Sequence, residues 1–256
     1  MAEGDTIHRV ARRLHAALAG RVTDEVRAPS QRTAGAGWPE RLEGRSVRAV
    51  HAYGKHLMLR FEGELTLHSH LRMTGSWQLS HAGARWHRGR SRAWLALRCG
   101  ATEAVQFDGP VLELLSEAVV RRRLAALGPD ILASEFDARR ALSRLRTEDP
   151  TRSLGEALLG QRAVAGIGNV WKSEACFAAG VDPWRSVAEV SDAQVLTVLE
   201  YAREHMRRSA CGGIGMRPHA VYRRAGRPCP RCGAPLTGRG QGEHNRVTYW
   251  CQACQS

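Results

Sequence analysis

Hydrophobic positions change their period twice along the chain. Over residues 1–20, Ile7, Val10, Ala11, Leu14, Ala17 and Leu18 recur at helical spacing, while Arg9, Arg12, Arg13 and His15 fill the opposite face. This predicts an amphipathic helix that stops at Gly20. Glu3 and Asp5 fall in its first turn, where the helix dipole favours negative charge. Residues 21–39, with Pro29, Gly35, Gly37 and Pro39, read as a strand followed by a loop. From Leu42 to Phe107 the period becomes two, through Ser46–Val50, Leu57/Leu59/Phe61, Leu65/Leu67/Leu71, Trp94–Arg98 and Val105/Phe107. Short alternating strands broken by Gly54, Gly63, Gly75 and Gly100 predict an antiparallel sandwich or a barrel-like sheet.

From Val111 onward the pattern predicts helices. Gly128-Pro129-Asp130 marks a turn, residues 137–146 a basic helix and residues 153–159 a short helix with an early acid. A helix over 169–179 is closed by Gly180 and Pro183, and another spans 192–208. Between two of these, Gly166-Ile167-Gly168-Asn169 lets the backbone turn tightly, and the next helix starts there. A helix N-terminus of this kind favours a phosphate, with a plain helix–helix joint as the simpler possibility.

The tail carries a metal signature. Cys229-Pro230-Arg231-Cys232 and Cys251-Gln252-Ala253-Cys254 are two Cys-x-x-Cys pairs with eighteen residues between them. That spacing predicts one structural zinc (Zn2+) in a four-thiolate ribbon, holding a hairpin too small to fold alone. Cys99, Cys176 and Cys211 read as packing residues.

Composition narrows the function. The 256 residues carry 43% hydrophobic residues and mixed charge, which fits a globular chain. No run spans a membrane and the start lacks a secretory core, so a cytoplasmic protein is expected. A net charge of +13 favours a polyanionic partner. Nearly all the basic residues are arginine, and Lys55 and Lys172 are the only lysines. Lys55 sits in the turn Tyr53-Gly54-Lys55-His56; Lys172 has no evident role beyond its helix. In His70-Leu71-Arg72-Met73-Thr74-Gly75 a methionine beside an arginine at a strand end suits insertion into a base stack, although methionine is more often core.

Taken together and in order, these segments resemble the formamidopyrimidine-DNA glycosylase and endonuclease VIII family of base-excision repair. The resemblance rests on Glu3-Gly4, Gly54-Lys55, the 70–75 segment, Leu127-Gly128-Pro129-Asp130, the run from Leu158 to Asn169, and the zinc tail with Arg246-Val247-Thr248-Tyr249-Trp250-Cys251. It implies an α+β fold: an N-terminal helix plus antiparallel β-sandwich (1–127), a helix–two-turn–helix DNA-binding part (128–220) and a zinc-finger β-hairpin (221–256). It implies a DNA glycosylase with abasic-site lyase activity. In such an enzyme the amine of residue 2 attacks the sugar of the damaged nucleotide and Glu3 transfers protons. The resemblance further gives Lys55 and Asn169 phosphates beside the lesion, Arg246 the tip of the zinc hairpin, and Arg72 with Met73 the gap left by the flipped base. The implied partner is damaged DNA, duplex or single-stranded, for a monomeric, nucleoid-associated protein with no membrane contact.

One position departs from the family pattern. Ala2 stands where the family carries proline. Once Met1 is removed, Ala2 exposes a primary amine that can still form an imine, but an imine must be protonated to match proline's permanently charged iminium. Weaker or altered lyase activity follows; with Met1 retained, Lys55 is the nearest candidate amine. The short span 209–222 and the arginine-free Gln106-Phe107-Asp108-Gly109-Pro110 lean towards the endonuclease VIII branch and oxidised pyrimidines. Three other classes fit parts of the pattern: a non-catalytic zinc protein that binds damaged DNA, a helix-hairpin-helix glycosylase, and an RNA-binding zinc ribbon. Glu3 argues against the first, the β-rich first half against the second and the scarcity of clustered aromatics against the third.

Overall fold

The computed structural model describes residues 2–28, 37–212 and 219–256. Met1, most of the loop expected before Pro39, and the core of the short 209–222 span lie outside the described residues. The chain divides into two compact units, Met1–Ala2 with Thr6–Ala125, and Glu3–Asp5 with Ala126–Ser256.

The first unit begins with helix α1 (Gly4–Leu18). Its apolar face buries Ile7, Ala11, Leu14 and Leu18. Two four-stranded antiparallel sheets follow. One holds β2 (Val47–Tyr53), β3 (His56–Phe61), β4 (Leu65–His70) and β8 (Val111–Ser116) in that spatial order. The other runs β1 (Glu25–Arg27), β6 (Ala93–Cys99), β7 (Thr102–Phe107) and β5 (Ser76–His81). Leu57, Leu59 and Leu67 of the first sheet share one core with Leu95, Leu97 and Ala104 of the second and with α1. The two sheets therefore form a sandwich, not a barrel.

Two segments differ from the sequence expectation. Val111–Ser116 is a strand, not helix, and aligns Leu67 with Leu114 and Ser69 with Leu112. Its run of apolar residues lacks alternation, so periodicity could not distinguish strand from helix. What decides is the unpaired edge of β4, whose backbone groups need partners. Helix α3 (Glu117–Ala125) starts only after it. Trp38–Leu42 runs from the end of the expected loop (through Pro39) to the start of the expected period-two region at Leu42, and is a short helix α2 that buries Trp38 and Leu42, with Pro39 in its first turn.

The second unit is helical and follows its local signals closely. Asp137 caps α4 (Ala138–Glu148) by accepting from Arg140 N at 2.9 Å. Ser153 and Glu156 bond at 2.8 Å at the start of α5 (Leu154–Leu159). Helix α6 (Asn169–Ala179) ends at Gly180 in the left-handed conformation, φ 69°. Helix α7 (Asp192–Gly212) runs four residues beyond its expected end. A core of Leu145, Leu158, Val164, Ile167, Trp171, Cys176, Val195 and Leu199 binds these helices. The tail forms a hairpin, β9 (Thr237–Gln241) and β10 (Arg246–Trp250), with a small core of Phe177, Val221, Leu236 and Cys251. Cys99 and Cys176 are buried as expected, whereas Cys211 near the end of α7 is exposed. No described helix is long and apolar enough to cross a membrane.

Candidate active site

Glu3 is fully buried, one residue before α1. Its carboxylate accepts the backbone N–H groups of Val170 (2.8 Å) and Trp171 (3.3 Å), the first turn of α6. The α6 N-terminus is an anion site, as the glycines around it predict, but the anion it holds is the protein's own carboxylate. The expectation that this helix end offers open N–H groups to a phosphate is corrected to that extent. Two glycines make the seat. A Cβ on Gly168 would lie 2.2 Å from Glu3 Cδ, and one on Gly4 would lie 2.9 Å from Gly166 Cα. Gly4 N also donates to Gly166 O at 3.0 Å. Asp5, the next acid, is buried and accepts from Ser209 Oγ at 2.6 Å.

The same end of α6 docks the zinc hairpin. Asn169 is buried, and its Nδ2 donates to the Val247 carbonyl at 2.7 Å. Arg246, half-exposed, starts β10 beside that carbonyl. One turn along, Lys172 is fully buried; its Nζ donates to Thr248 Oγ1 (2.5 Å) and Gln241 Oε1 (3.3 Å). Burial lowers its pKa to about 8. Glu174, also buried, accepts three N–H groups, from Ala220 (3.0 Å), Val221 (3.0 Å) and Tyr222 (2.8 Å). Nothing in the local sequence distinguished Glu174 from a surface helix acid.

The four cysteines fit zinc. Their Sγ atoms all lie within 4.8 Å of one another, with Cys229–Cys254 at 3.9 Å and Cys232–Cys251 at 3.6 Å. A tetrahedron with Zn–S bonds of about 2.3 Å has S···S edges of about 3.8 Å. Arg231 N donates to Cys229 Sγ at 3.4 Å, which suits a thiolate. The group is a site for one structural zinc, and it ties the hairpin to the segment that precedes it.

The remaining expected residues lie in the first unit. Ala2 is half-buried and packs on the sandwich core. Lys55, also half-buried, occupies the two-residue β2–β3 turn after Gly54, φ 54°. Behind it stand three histidines that spacing along the chain does not group. His56 Nδ1 lies 2.9 Å from His68 Nε2, and His68 Nδ1 lies 3.0 Å from Glu113 Oε2. The His70 ring meets His56 edge-on at 5.0 Å between centroids. Burial, with help from neighbouring cations and histidines, lowers the pKa of His56 to about 3 and of His70 to about 4. The Lys55 ammonium and the Arg123 guanidinium both disfavour a proton on His56, and Arg72 and Lys55 do so on His70. Arg72 and Met73 sit in the exposed turn after β4. Met73 is 62% exposed, and Arg72 is left-handed with φ 45°. The Met73 side chain thus stands out from the turn and is no part of the core.

This fold, with a buried acid at residue 3 and a four-cysteine hairpin, belongs to a known class. Residues 1–110 match the formamidopyrimidine-DNA glycosylase N-terminal domain and residues 127–218 its H2TH domain. The chain is a member of the formamidopyrimidine-DNA glycosylase and endonuclease VIII family. It is 45% identical over its whole length to "Probable endonuclease 8 2" of Streptomyces coelicolor, covering 94% of that protein. It is 39% identical to "DNA-(apurinic or apyrimidinic site) lyase Nei2" of Mycolicibacterium smegmatis, covering 100% of this chain and 99% of that one. The fold matches that of Lactococcus lactis formamidopyrimidine-DNA glycosylase, solved non-covalently bound to DNA holding an abasic site. The TM-score is 0.87 at 23% identity, with both chains fully covered.

Proposed function

We propose that the amine of Ala2 is the nucleophile of this enzyme and that Glu3 moves its protons. The protein is a base-excision-repair DNA glycosylase with abasic-site lyase activity, acting on damaged DNA. The amine attacks C1′ of the damaged nucleotide; the N–C1′ bond forms as the base leaves with a proton. The resulting imine, protonated, acidifies the C2′ hydrogen. Loss of that proton expels the 3′ phosphate by β-elimination, and a second elimination can follow at the 5′ side. An α-amine with a pKa of about 7.7–8.0 is partly neutral near pH 7, as the attack requires.

The observation that carries this reading is the seat of Glu3. A carboxylate next in sequence to the nucleophile is held at 0% exposure by two backbone N–H groups, over a glycine whose added Cβ would fall 2.2 Å from Glu3 Cδ. Lys55 and Asn169 take phosphates beside the lesion. For Asn169 this means exchanging its bond to Val247 O for one to the ligand. Arg246 grips the backbone from the zinc hairpin, and Arg72 and Met73 fill the gap left by the flipped nucleotide. The substrates are oxidised pyrimidines, consistent with the arginine-free 106–110 segment. The work divides among a catalytic part (1–127), a helix–two-turn–helix part (128–220) and the zinc finger (221–256). The protein acts as a monomer in the cytoplasm, on the nucleoid.

The test is incubation with duplex and single-stranded oligonucleotides that hold an abasic site, thymine glycol or 8-oxoguanine, with borohydride to trap the imine. Cleavage and trapping that disappear in Glu3→Gln are expected. Trapping that survives when Ala2 is blocked but not in Lys55→Ala would move the nucleophile to Lys55. Binding with neither cleavage nor trapping would make the protein a non-catalytic damage binder.

A further inference from the structure

The turn bearing Arg72 and Met73 is buttressed from behind by residues outside the site described above. Gly75 N closes the turn on Leu71 O at 2.9 Å. A Cβ on Gly75 would lie 2.7 Å from Leu71 O and 3.1 Å from Gly109 Cα, so the turn packs backbone to backbone against the 108–110 loop. Thr74 Oγ1 donates to Asp108 O at 3.1 Å. Arg88 Nη1 donates both to Thr74 O, at 3.2 Å, and to the Asp108 carboxylate. Arg92 completes a two-pronged pair with the same carboxylate, Nε to Oδ1 at 3.0 Å and Nη2 to Oδ2 at 2.7 Å. Asp108 N in turn donates to Arg92 O at 3.0 Å. Phe107, the residue before, is fully buried. Gln106, Phe107 and Gly109 are buried, so most of the 106–110 loop faces inward as a support, and Pro110 is its exposed residue.

We propose that Asp108 is a positioning residue: bridging Arg88 and Arg92, it braces the 72–74 turn so that Met73 enters a duplex as a preformed wedge. This rests on the wedge role assigned to Met73 above. A turn held in its working shape before binding loses less conformational freedom on insertion. The shape needs holding, because Arg72 at φ 45° and Asp108 at φ 48° both sit in a region that L-residues rarely adopt. Hydrogen bonding from Arg92 keeps the Asp108 carboxyl below the usual carboxylate range, so the brace stays ionised at any working pH near neutral.

Asp108→Asn tests the brace, because asparagine tolerates the left-handed backbone while it removes the charge and turns one of the two acceptor oxygens into a donor facing an arginine. The duplex probe carries a tetrahydrofuran abasic analogue opposite 2-aminopurine, and the rate of fluorescence rise on mixing reports insertion without any need for chemistry. Met73→Ala removes the wedge itself and Asp108→Asn a charge-assisted bond that holds it, and each is expected to slow that rate about tenfold. The double variant should be no slower than either single one, since Asp108 acts through Met73. Arg92→Gln, at an exposed partner, should slow it less and guards against a folding defect. A normal rate in Asp108→Asn and Arg92→Gln with a slow Met73→Ala overturns the brace and leaves the wedge. Additive losses in the double variant also overturn it. A normal rate in Met73→Ala removes the wedge and the brace together.

Discussion

Gly168→Ala probes the seat of the proposed acid with one methyl group. The added Cβ would fall 2.2 Å from Glu3 Cδ, 2.4 Å from Cγ and 2.5 Å from Oε1. No rotamer change of an alanine can relieve this, so the carboxylate must leave or the 166–169 backbone must shift. Either way the bonds from Val170 N and Trp171 N are lost. Hydrogen bonds to a charged group are worth about 1.5–3 kcal/mol each, so two of them set a cost of about 3–6 kcal/mol. With about 2–4 °C per kcal/mol for a chain of this size, the melting temperature should fall by at least about 6 °C. If Glu3 is the proton-transfer group, cleavage of an abasic-site duplex should fall about 100-fold or more in the protein that remains folded. Glu3→Gln separates the two effects. It fits the seat sterically but points an amide N–H at one of the two donors, so it should lose activity as strongly with a smaller drop in melting temperature. Assays are single-turnover cleavage and a thermal melt, with hydrogen exchange at Val170 and Trp171 as the local readout. A Gly168→Ala protein that melts within about 2 °C of the parent and cleaves at the parental rate would refute the seat and its role.

Three further outcomes follow. Removing the metal with a chelator should release one zinc per chain, melt the 229–254 hairpin and abolish DNA binding, while the strand signal of the sandwich persists in circular dichroism. Lys172→Met should change the pH dependence of stability. The folded pKa, about 8, lies below the ordinary 10.5, so the unfolded chain binds more protons between these values and stability rises with pH there. Relative to Lys172→Met, the parent should gain about 2–3 kcal/mol from pH 8 to 10.5 and show no change below 8, checked by melts across that range. Ala2→Pro should raise the borohydride-trapped fraction on abasic DNA, because a secondary amine gives a permanently charged iminium; an unchanged or smaller fraction would show that imine protonation does not limit the parent.

Much of this protein is determined locally. Helix α1, the stop at Gly180 and the Cys-x-x-Cys pairs each arise from residues within a turn or two of one another, so spacing alone reveals them. The exposure of Met73 also agrees with its place in a turn. Long-range partners decide the rest. Val111–Ser116 is a strand because β4 lacks a neighbour without it. Lys172 and Glu174 look like surface helix residues until the zinc hairpin and the 220–222 backbone cover them. The α6 terminus looks like an open phosphate site until Glu3, 167 residues earlier, fills it. Asp108 stands where arginines are missing from its own segment, and Arg88 and Arg92 close on it from elsewhere. The physical reason is that a polar group taken out of water, whether a backbone N–H or a charged side chain, must find partners, and here they come from segments far away in the chain.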